Sequence, residues 1–186
     1  PVTTIDSLNT SEYLLSGDEQ RVVRYTSNHD VNGSDGTPQE LFGGDRGAMA
    51  AFVVTAMMKS VPMIYNGQET GTPMRLTFPF TTTKIDWTLH PELTAEYKKI
   101  LAFHNKSAAI RRGILTAYSS PDVCVFTKKM NKEEVLVVAN LRNKAVSYAL
   151  PLPLQQSAWT DAFSASAVNL ATAVSLAPYE YLVLSR

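Results

Sequence analysis

Three residues with chemically active side chains stand side by side in the sequence, Asn28, His29 and Asp30. They follow a short β-branched run and precede a stretch rich in Gly, Asp and Pro. Asp30 could be a base, a nucleophile, a metal ligand or an acceptor for hydroxyl groups, and His29 could donate to the same partner. Ordinary turn chemistry is the alternative, because Asn and Asp side chains bond their own backbone. The residue types alone leave these readings open.

The elements around this triplet decide whether its side chains can meet. Residues 21–26, "RVVRYT", predict a strand, residues 45–59 a helix with apolar residues at helical spacing, and residues 61–65, "VPMIY", a second strand. Residues 32–44 are predicted to form a polar loop. A strand, a helix and a strand in this order predict a parallel βαβ unit, and the triplet then lies at the carboxyl end of its first strand. The three side chains converge only if the strand ends there, since alternation would otherwise place His29 on the opposite face.

The second half of the sequence has a different pattern. A further helix is predicted from Pro91 to about Ile110, closed by residues 111–113, "RRG". Short β-rich runs separated by turns then follow, at "DVCVFTKK", "EVLVVANL", "VSYALPL" and "SLAPYEYLVLS". The fold class is therefore α/β plus all-β: an α/β part in residues 1–112 and an antiparallel β-sandwich in residues 113–186.

Composition excludes several classes of partner. The chain has 186 residues, 45% of them apolar, which is enough for an ample core. Seventeen basic residues balance seventeen acidic ones, so no net field attracts nucleic acid or an anionic membrane, and a neutral polar partner is favoured. No apolar run has the length of a membrane span. Cys124, the one cysteine, lies in an apolar run and is predicted to be a buried thiol, and no cluster of His, Cys and Asp has metal-ligand spacing.

An ordered series of motifs along the chain resembles the alpha-amylase family of glycoside hydrolases. After "NHD" come "VPMIYNGQE", "KIDW", "AAIRRG", "VVANL" and "WTDAF". In that family the triplet ends the seventh strand of a (β/α)8 barrel, and the second motif forms the eighth strand and its loop. The resemblance therefore implies that residues 1–112 are the last two βα units of a catalytic barrel and that residues 113–186 are the sandwich domain behind it.

The same resemblance implies roles for the triplet. The family cleaves α-glucosidic bonds with retention, using a nucleophile and an acid/base about 5 to 5.5 Å apart. Neither group maps onto this sequence. Asp30 matches instead the family's third carboxylate, which stabilises the transition state by accepting hydrogen bonds from sugar hydroxyls, and His29 would donate to the same sugar. For Asn28 the resemblance implies an orienting, substrate-binding residue at the rim of the site.

The expected function is therefore that of a fragment. The full-length parent would hydrolyse starch or maltooligosaccharides, and this chain alone would be inactive and would self-associate through exposed barrel edges. No cofactor is expected in the chain, and calcium, where the parent binds it, would be held by other parts. An extracellular, periplasmic or cell-surface location is favoured over the cytoplasm. The alternative is a non-catalytic module that binds glucans or a protein partner, with no dependence on Asp30.

Other chemically capable residues receive structural interpretations. Glu69 is expected to be an acceptor that fixes the loop after the second strand. Asp86 and Trp87 are expected to pack rather than to stack on sugar, although an exposed Trp would suit a glucose ring. His104 lies on an apolar helix stripe and is expected to be a satisfied core histidine.

Three further interpretations concern loops and termini. Arg75 and Phe78, in the long loop after "NGQE", are candidates for contact with remote sugar units. Tyr179 and Tyr181 alternate in the closing strand and are expected to pack within the sandwich. Residues 6–16, "DSLNTSEYLLS", are a weaker candidate for a helix.

Overall fold

The computed structural model describes residues 21–76, 79, 84–118 and 120–186. The helix expected at residues 6–16 and the side chain of Phe78 lie outside the described residues.

A short parallel pair of strands opens the described chain. Strand β1 (Val23–Arg24) pairs with β2 (Val61–Pro62), with Val23 opposite Val61 and Arg24 opposite Pro62. The predicted parallel pairing is therefore present, over two residues in each strand. Three helices connect the strands: α1 (His29–Ser34), α2 (Pro38–Phe42) and α3 (Asp45–Met57).

The prediction of a loop at residues 32–44 is wrong, because most of this stretch is helical. Helix α2 begins at a capping box: the Thr37 hydroxyl accepts from the amide of Glu40, and the Glu40 carboxylate accepts from the amide of Thr37 at 2.7 Å. Pro38 occupies the first turn, where its missing N–H costs nothing, and Gly43 ends the helix in the left-handed conformation at φ 82°. These local signals stabilise a helix of five residues that hydrophobic periodicity cannot reveal.

The second predicted helix is present but divided. Helix α4 (Pro91–Lys106) ends at Ser107, and α5 (Ala108–Arg112) begins there. Ser107 caps α5 by accepting from the amide of Ile110 at 3.0 Å, and the carboxylate of Glu133 accepts from the amides of Ala108 and Ala109. None of the helices in the described residues has the length and hydropathy of a membrane-spanning segment.

The rest of the chain is antiparallel sheet. Its strands are β3 (Ile114–Tyr118), β4 (Val123–Met130), β5 (Glu133–Asn140), β6 (Val146–Ala149), β7 (Ser157–Asp161), β8 (Ala167–Leu170), β9 (Ala173–Leu176) and β10 (Tyr181–Ser185). Six of them form one sheet in the order β3-β4-β5-β10-β7-β8, and β6 and β9 form a separate pair. Strands β3, β7 and β8 were not predicted, and β9 and β10 were predicted as one run, although a turn separates them.

The centre of the large sheet, at β4 and β5, is buried on both faces. Cys124 and Phe126 of β4 point toward helices α3 to α5 and join one apolar core. Val123 and Val125 of the same strand point toward the β6–β9 pair and join a second core. A strand covered on both sides carries apolar residues continuously, which explains why "VCVF" shows no alternation. The prediction that Cys124 is a buried thiol is confirmed, and burial raises its pKa to about 12.

Helix α5 and the large sheet approach each other closely at Gly113 and Lys128. A Cβ on Gly113 would lie 2.4 Å from the carbonyl oxygen of Ala109 and 3.0 Å from the backbone of Lys129, so only glycine fits this crossing. Beside it the fully buried ammonium of Lys128 donates to the carbonyl oxygen of Ile110. Burial, with the nearby charges of Arg21 and Lys59, lowers the pKa of Lys128 to about 7.

Candidate functional site

The triplet lies where the chain turns from β1 into α1. β1 ends at Arg24, four residues before Asn28, so the triplet is not the end of the strand itself. Asn28 is the amino-terminal cap of α1: its backbone is extended, and its side-chain oxygen accepts from the amide of Val31 at 2.8 Å. Asn28 therefore bonds the nearby backbone, as in the turn interpretation, and this hydrogen bond occupies its side-chain oxygen.

His29 and Asp30 form the first turn of α1, and the structure brings their side chains together. The Nε2 atom of His29 lies 3.4 Å from Oδ1 of Asp30, and the two side chains are 67% and 80% exposed. The helical turn replaces the alternation of a strand, so the imidazole and the carboxylate face the same solvent region. A ligand above the carboxyl end of β1 could contact both groups. Asn28 differs from them because its side-chain oxygen is turned back into the helix.

Helix α1 is held against the segment that follows β2. The buried side-chain oxygen of Asn32 accepts from the amide of Leu76 at 2.6 Å. Arg75 donates to the carbonyl oxygen of Ser34 at 3.2 Å, and its Nε lies 3.0 Å from the Glu40 carboxylate. The hydrogen bond from Arg75 is the largest cause that lowers the pKa of Glu40. Arg75, predicted as a contact to remote sugar, is engaged with α1 and α2 here.

Sequence reasoning did not find Asn32. An Asn in a Gly-rich stretch is typical of a turn, and nothing in the sequence distinguishes one that reaches a backbone amide more than forty positions away. The capping box at Thr37 was the available local signal that this stretch is helical.

Gln68, rather than Glu69, fixes the turn after β2. Its side-chain amide donates to the hydroxyl of Thr26 at 2.8 Å and to the hydroxyl of Tyr97 at 3.1 Å. Glu69 contributes its backbone oxygen, which accepts from Thr94 at 2.9 Å, while its buried Oε2 has no hydrogen-bond partner among the described residues. Glu69 is therefore an acceptor through its backbone oxygen, and Oε2 of its carboxylate takes no part within the described chain. Burial is the main cause that raises the pKa of Tyr97.

Trp87 is exposed, and the expectation that it packs is wrong. Its side chain is 59% exposed, at the first corner of a turn closed by the amide of Leu89 and the carbonyl oxygen of Asp86. Oδ1 of Asp86 accepts from the amide of Thr88 at 2.9 Å and from its hydroxyl at 2.6 Å, and the bond from that hydroxyl is the largest cause that lowers the pKa of Asp86. The turn is therefore internally bonded, with the indole on its outer side.

The predictions for His104 and Tyr181 have different outcomes. His104 is buried, with Nε2 3.3 Å from the carbonyl oxygen of Ser60 and Nδ1 3.2 Å from Oδ1 of Asn105, so the core histidine is confirmed. Tyr181 does not pack only within the sandwich: its hydroxyl donates to Glu96 of α4. That carboxylate also accepts from Arg46 of α3 at 2.9 Å, so the three side chains join the helices to β10.

Tyr179 also leaves the sandwich. Its hydroxyl lies 2.3 Å from where a Cβ on Gly43 would stand, and its ring is close to Gly47, so it packs against the helical part. Tyr179 itself has a left-handed backbone at φ 57°. Within the described ranges, no group of three or more His, Cys, Asp and Glu residues could hold a metal ion.

Comparison with known proteins shows which proteins the chain resembles. Residues 114–183 match the model of the family described as "Maltogenic Amylase, C-terminal domain". The fold of the whole chain resembles solved alpha-amylases from Anoxybacillus (14% identity, TM-score 0.81) and Lactobacillus plantarum (14%, 0.79). It also resembles a mutant isomaltulose synthase from Erwinia rhapontici (15%, 0.70). The predicted resemblance to the carboxyl-terminal portion of alpha-amylase family glycoside hydrolases is confirmed.

The chain matches only part of each of these solved structures. The chain is covered to 97%, 100% and 99% by the three structures, in that order, but spans only 41%, 43% and 46% of their lengths. The chain therefore spans less than half the length of each. A search of curated proteins gave no significant match.

Proposed function

We propose that this chain is the carboxyl-terminal part of an alpha-amylase-type retaining glycoside hydrolase that acts on α-glucosidic bonds of starch or maltooligosaccharides. In this proposal β1 to α5 are the last two βα units of a (β/α)8 barrel, and the strands from β3 onward form the sandwich domain, with the boundary at residues 112 and 113. The parallel pairing of β1 and β2 and the whole-chain likeness to two alpha-amylases support it.

Asp30 is the residue on which the proposed chemistry depends. Its exposed carboxylate accepts hydrogen bonds from hydroxyls beside the reacting carbon, and these bonds strengthen as that carbon gains positive character, so they favour the transition state. His29, 3.4 Å away, donates to hydroxyls of the same sugar. Asn28 orients both by capping α1. The observation that carries the proposal is this exposed pair in the first turn of α1, beyond the carboxyl end of β1.

The nucleophile and the acid/base come, in this proposal, from strands outside the chain. The chain alone therefore binds sugar weakly and does not hydrolyse it. Incubation with maltooligosaccharides should release no reducing ends above the buffer control, whereas turnover at enzyme-like rates would contradict the proposal.

The role of Asp30 is tested in the longer parent polypeptide. Asp30→Asn should lower kcat by at least about 100-fold, the order found when one group that stabilises a transition state is removed. Asp35→Asn is the matched control, since Asp35 is exposed and caps the other end of α1. Full activity in the Asp30 variant would refute the proposed role.

Self-association follows from the same proposal. Val23 and Val61, opposite each other in the parallel pair, are 54% and 46% exposed, as expected for strands that further strands would cover. Sedimentation of the chain should show association that Val61→Lys weakens. Ile114→Lys, at an exposed position of β3, should leave it unchanged. A monomer at all concentrations would contradict this part.

A further inference from the structure

We infer that the indole of Trp87 is a stacking platform for a ring of the neutral glucan, on the same edge of the structure as His29 and Asp30. This inference rests on the proposed function and adds a binding residue to it. The first support is exposure: a side chain of this size and apolarity remains 59% exposed and has one flat face to offer.

The second support is the position of the turn. The Cδ1 atom of Ile85, two residues before Trp87, lies 3.4 Å from where a Cβ on Gly67 would stand, and Gly67 belongs to the turn just after β2. The turn that carries Trp87 is thus held at the carboxyl end of β2. The triplet follows the carboxyl end of β1, and in a parallel pair both ends lie at the same edge.

A third support concerns residues 75 and 76, which follow the turn that contains Gly67. Leu76 and Arg75, from the stretch between β2 and α4, contact Asn32 and Ser34 of α1, the helix that carries His29 and Asp30. Residues 75 and 76 therefore share one surface with α1.

The fourth support is the chemistry around the indole. His90 and Glu92, which pair through Nδ1 and Oε1 at 3.1 Å, are exposed and lie three and five residues after Trp87, so groups that can bond hydroxyls are close to the indole in the sequence. An imidazole and a carboxylate can each bond a hydroxyl group, which suits a neutral polyhydroxylated ligand. The apolar faces of sugar rings stack on aromatic rings while their hydroxyls bond at the edges.

Tryptophan fluorescence tests the inference directly, because the chain has two Trp residues in contrasting environments. Trp159 is buried, donates from Nε1 to the Ser157 hydroxyl at 2.7 Å, and is covered by the Arg186 guanidinium 4.1 Å from its ring centroid. A change on adding maltotriose therefore reports on Trp87. We expect a saturable change with a blue shift, absent in Trp87→Phe and retained in Trp159→Phe.

Controls separate stacking from other causes. Sorbitol, which has hydroxyls but no ring, should give no saturable change. Trp87→Phe should keep the circular dichroism and melting temperature of the original chain. No saturable response to maltotriose, or a response that persists in Trp87→Phe, would overturn the inference. A blue shift that grows with protein concentration in the absence of sugar would mean that a second copy covers the indole, and would overturn it as well.

Steady-state kinetics of the parent distinguish this inference from the proposed function. Trp87→Ala should raise KM roughly tenfold with kcat unchanged, because a stacking contact is made equally in ground and transition states. Asp30→Asn should lower kcat instead. Unchanged kinetics in the Trp87 variant with a failing Asp30 variant would remove only the stacking role, and an active Asp30 variant would remove the proposed function itself.

Discussion

β1 and β2 pair over two residues each and leave Val23 and Val61 about half exposed, whereas β4 and β5 pair over eight residues. Phe126 and Val125, neighbours in β4, are buried in two different cores. Burial of apolar surface is the main stabilising term in folding, so the second region stabilises itself while the first depends on what covers it. The residues proposed for chemistry lie beside the β1–β2 pair, whereas most of the stabilising apolar burial is in the sheet around β4 and β5.

The largest expected effect is a cavity in the core between helices and sheet. Phe126→Ala should lower the free energy of unfolding by about 3 to 5 kcal/mol, because Phe126 is fully buried against helices and strands. Val61→Ala, in the exposed pair, should change it by no more than about 0.5 kcal/mol. Urea unfolding followed by circular dichroism measures both. Equal losses would show that the parallel pair is already as well packed as the sheet.

The next effect is a pH dependence from the buried Lys128. Its pKa falls from 10.5 to about 7 in the folded state. Between these values the unfolded state binds more protons, so stability rises with pH by at most about 1.4 kcal/mol per pH unit. Below pH 7 the lysine is protonated in both states, and its burial is unfavourable there.

This dependence can be isolated by substitution. Lys128→Met should be more stable than the original chain near pH 7, and the difference should shrink toward about pH 9, below the range where exposed tyrosines ionise. Lys129→Met is the matched control, since Lys129 is the exposed neighbour in β4. A constant difference between pH 7 and pH 9 would contradict a shifted pKa at Lys128.

The smallest effect concerns the link between α1 and the segment after β2. Asn32→Leu leaves the buried amide of Leu76 without its acceptor, which should cost about 1 to 3 kcal/mol. Hydrogen exchange at the Leu76 amide should accelerate. Asn32→Asp keeps an acceptor oxygen and should preserve protection. Unchanged exchange in the Leu variant would mean that other contacts hold this segment.

Regular apolar spacing made much of the fold predictable. Helix α3 was predicted within two residues at its end, because Met49, Phe52 and Val53 mark one buried stripe. Strands β4 and β5 were predicted because continuous apolar runs suit a sheet covered on both faces. Short helices were missed, because α1 and α2 are set by caps and tertiary contacts rather than by periodicity.

The site was only partly predictable for a related reason. The sequence places Asn28, His29 and Asp30 side by side but cannot show that a helical turn, begun by the Asn28 cap, joins the last two and turns the first away. The exposure of Trp87 could not be predicted either, because a Trp near an apolar strand is more often packed. Contacts between distant residues, such as Tyr181 with Glu96, decide these outcomes.

The position of β10 has a consequence for biosynthesis. Tyr181–Ser185 comes last among the strands in chain order, yet it lies between β5 and β7 in the middle of the large sheet. A ribosome must therefore release nearly all of this sequence before the two halves of that sheet can be joined. A stop codon between Leu170 and Tyr181 would leave two unjoined ribbons with open edges, so truncation there should yield aggregation-prone products.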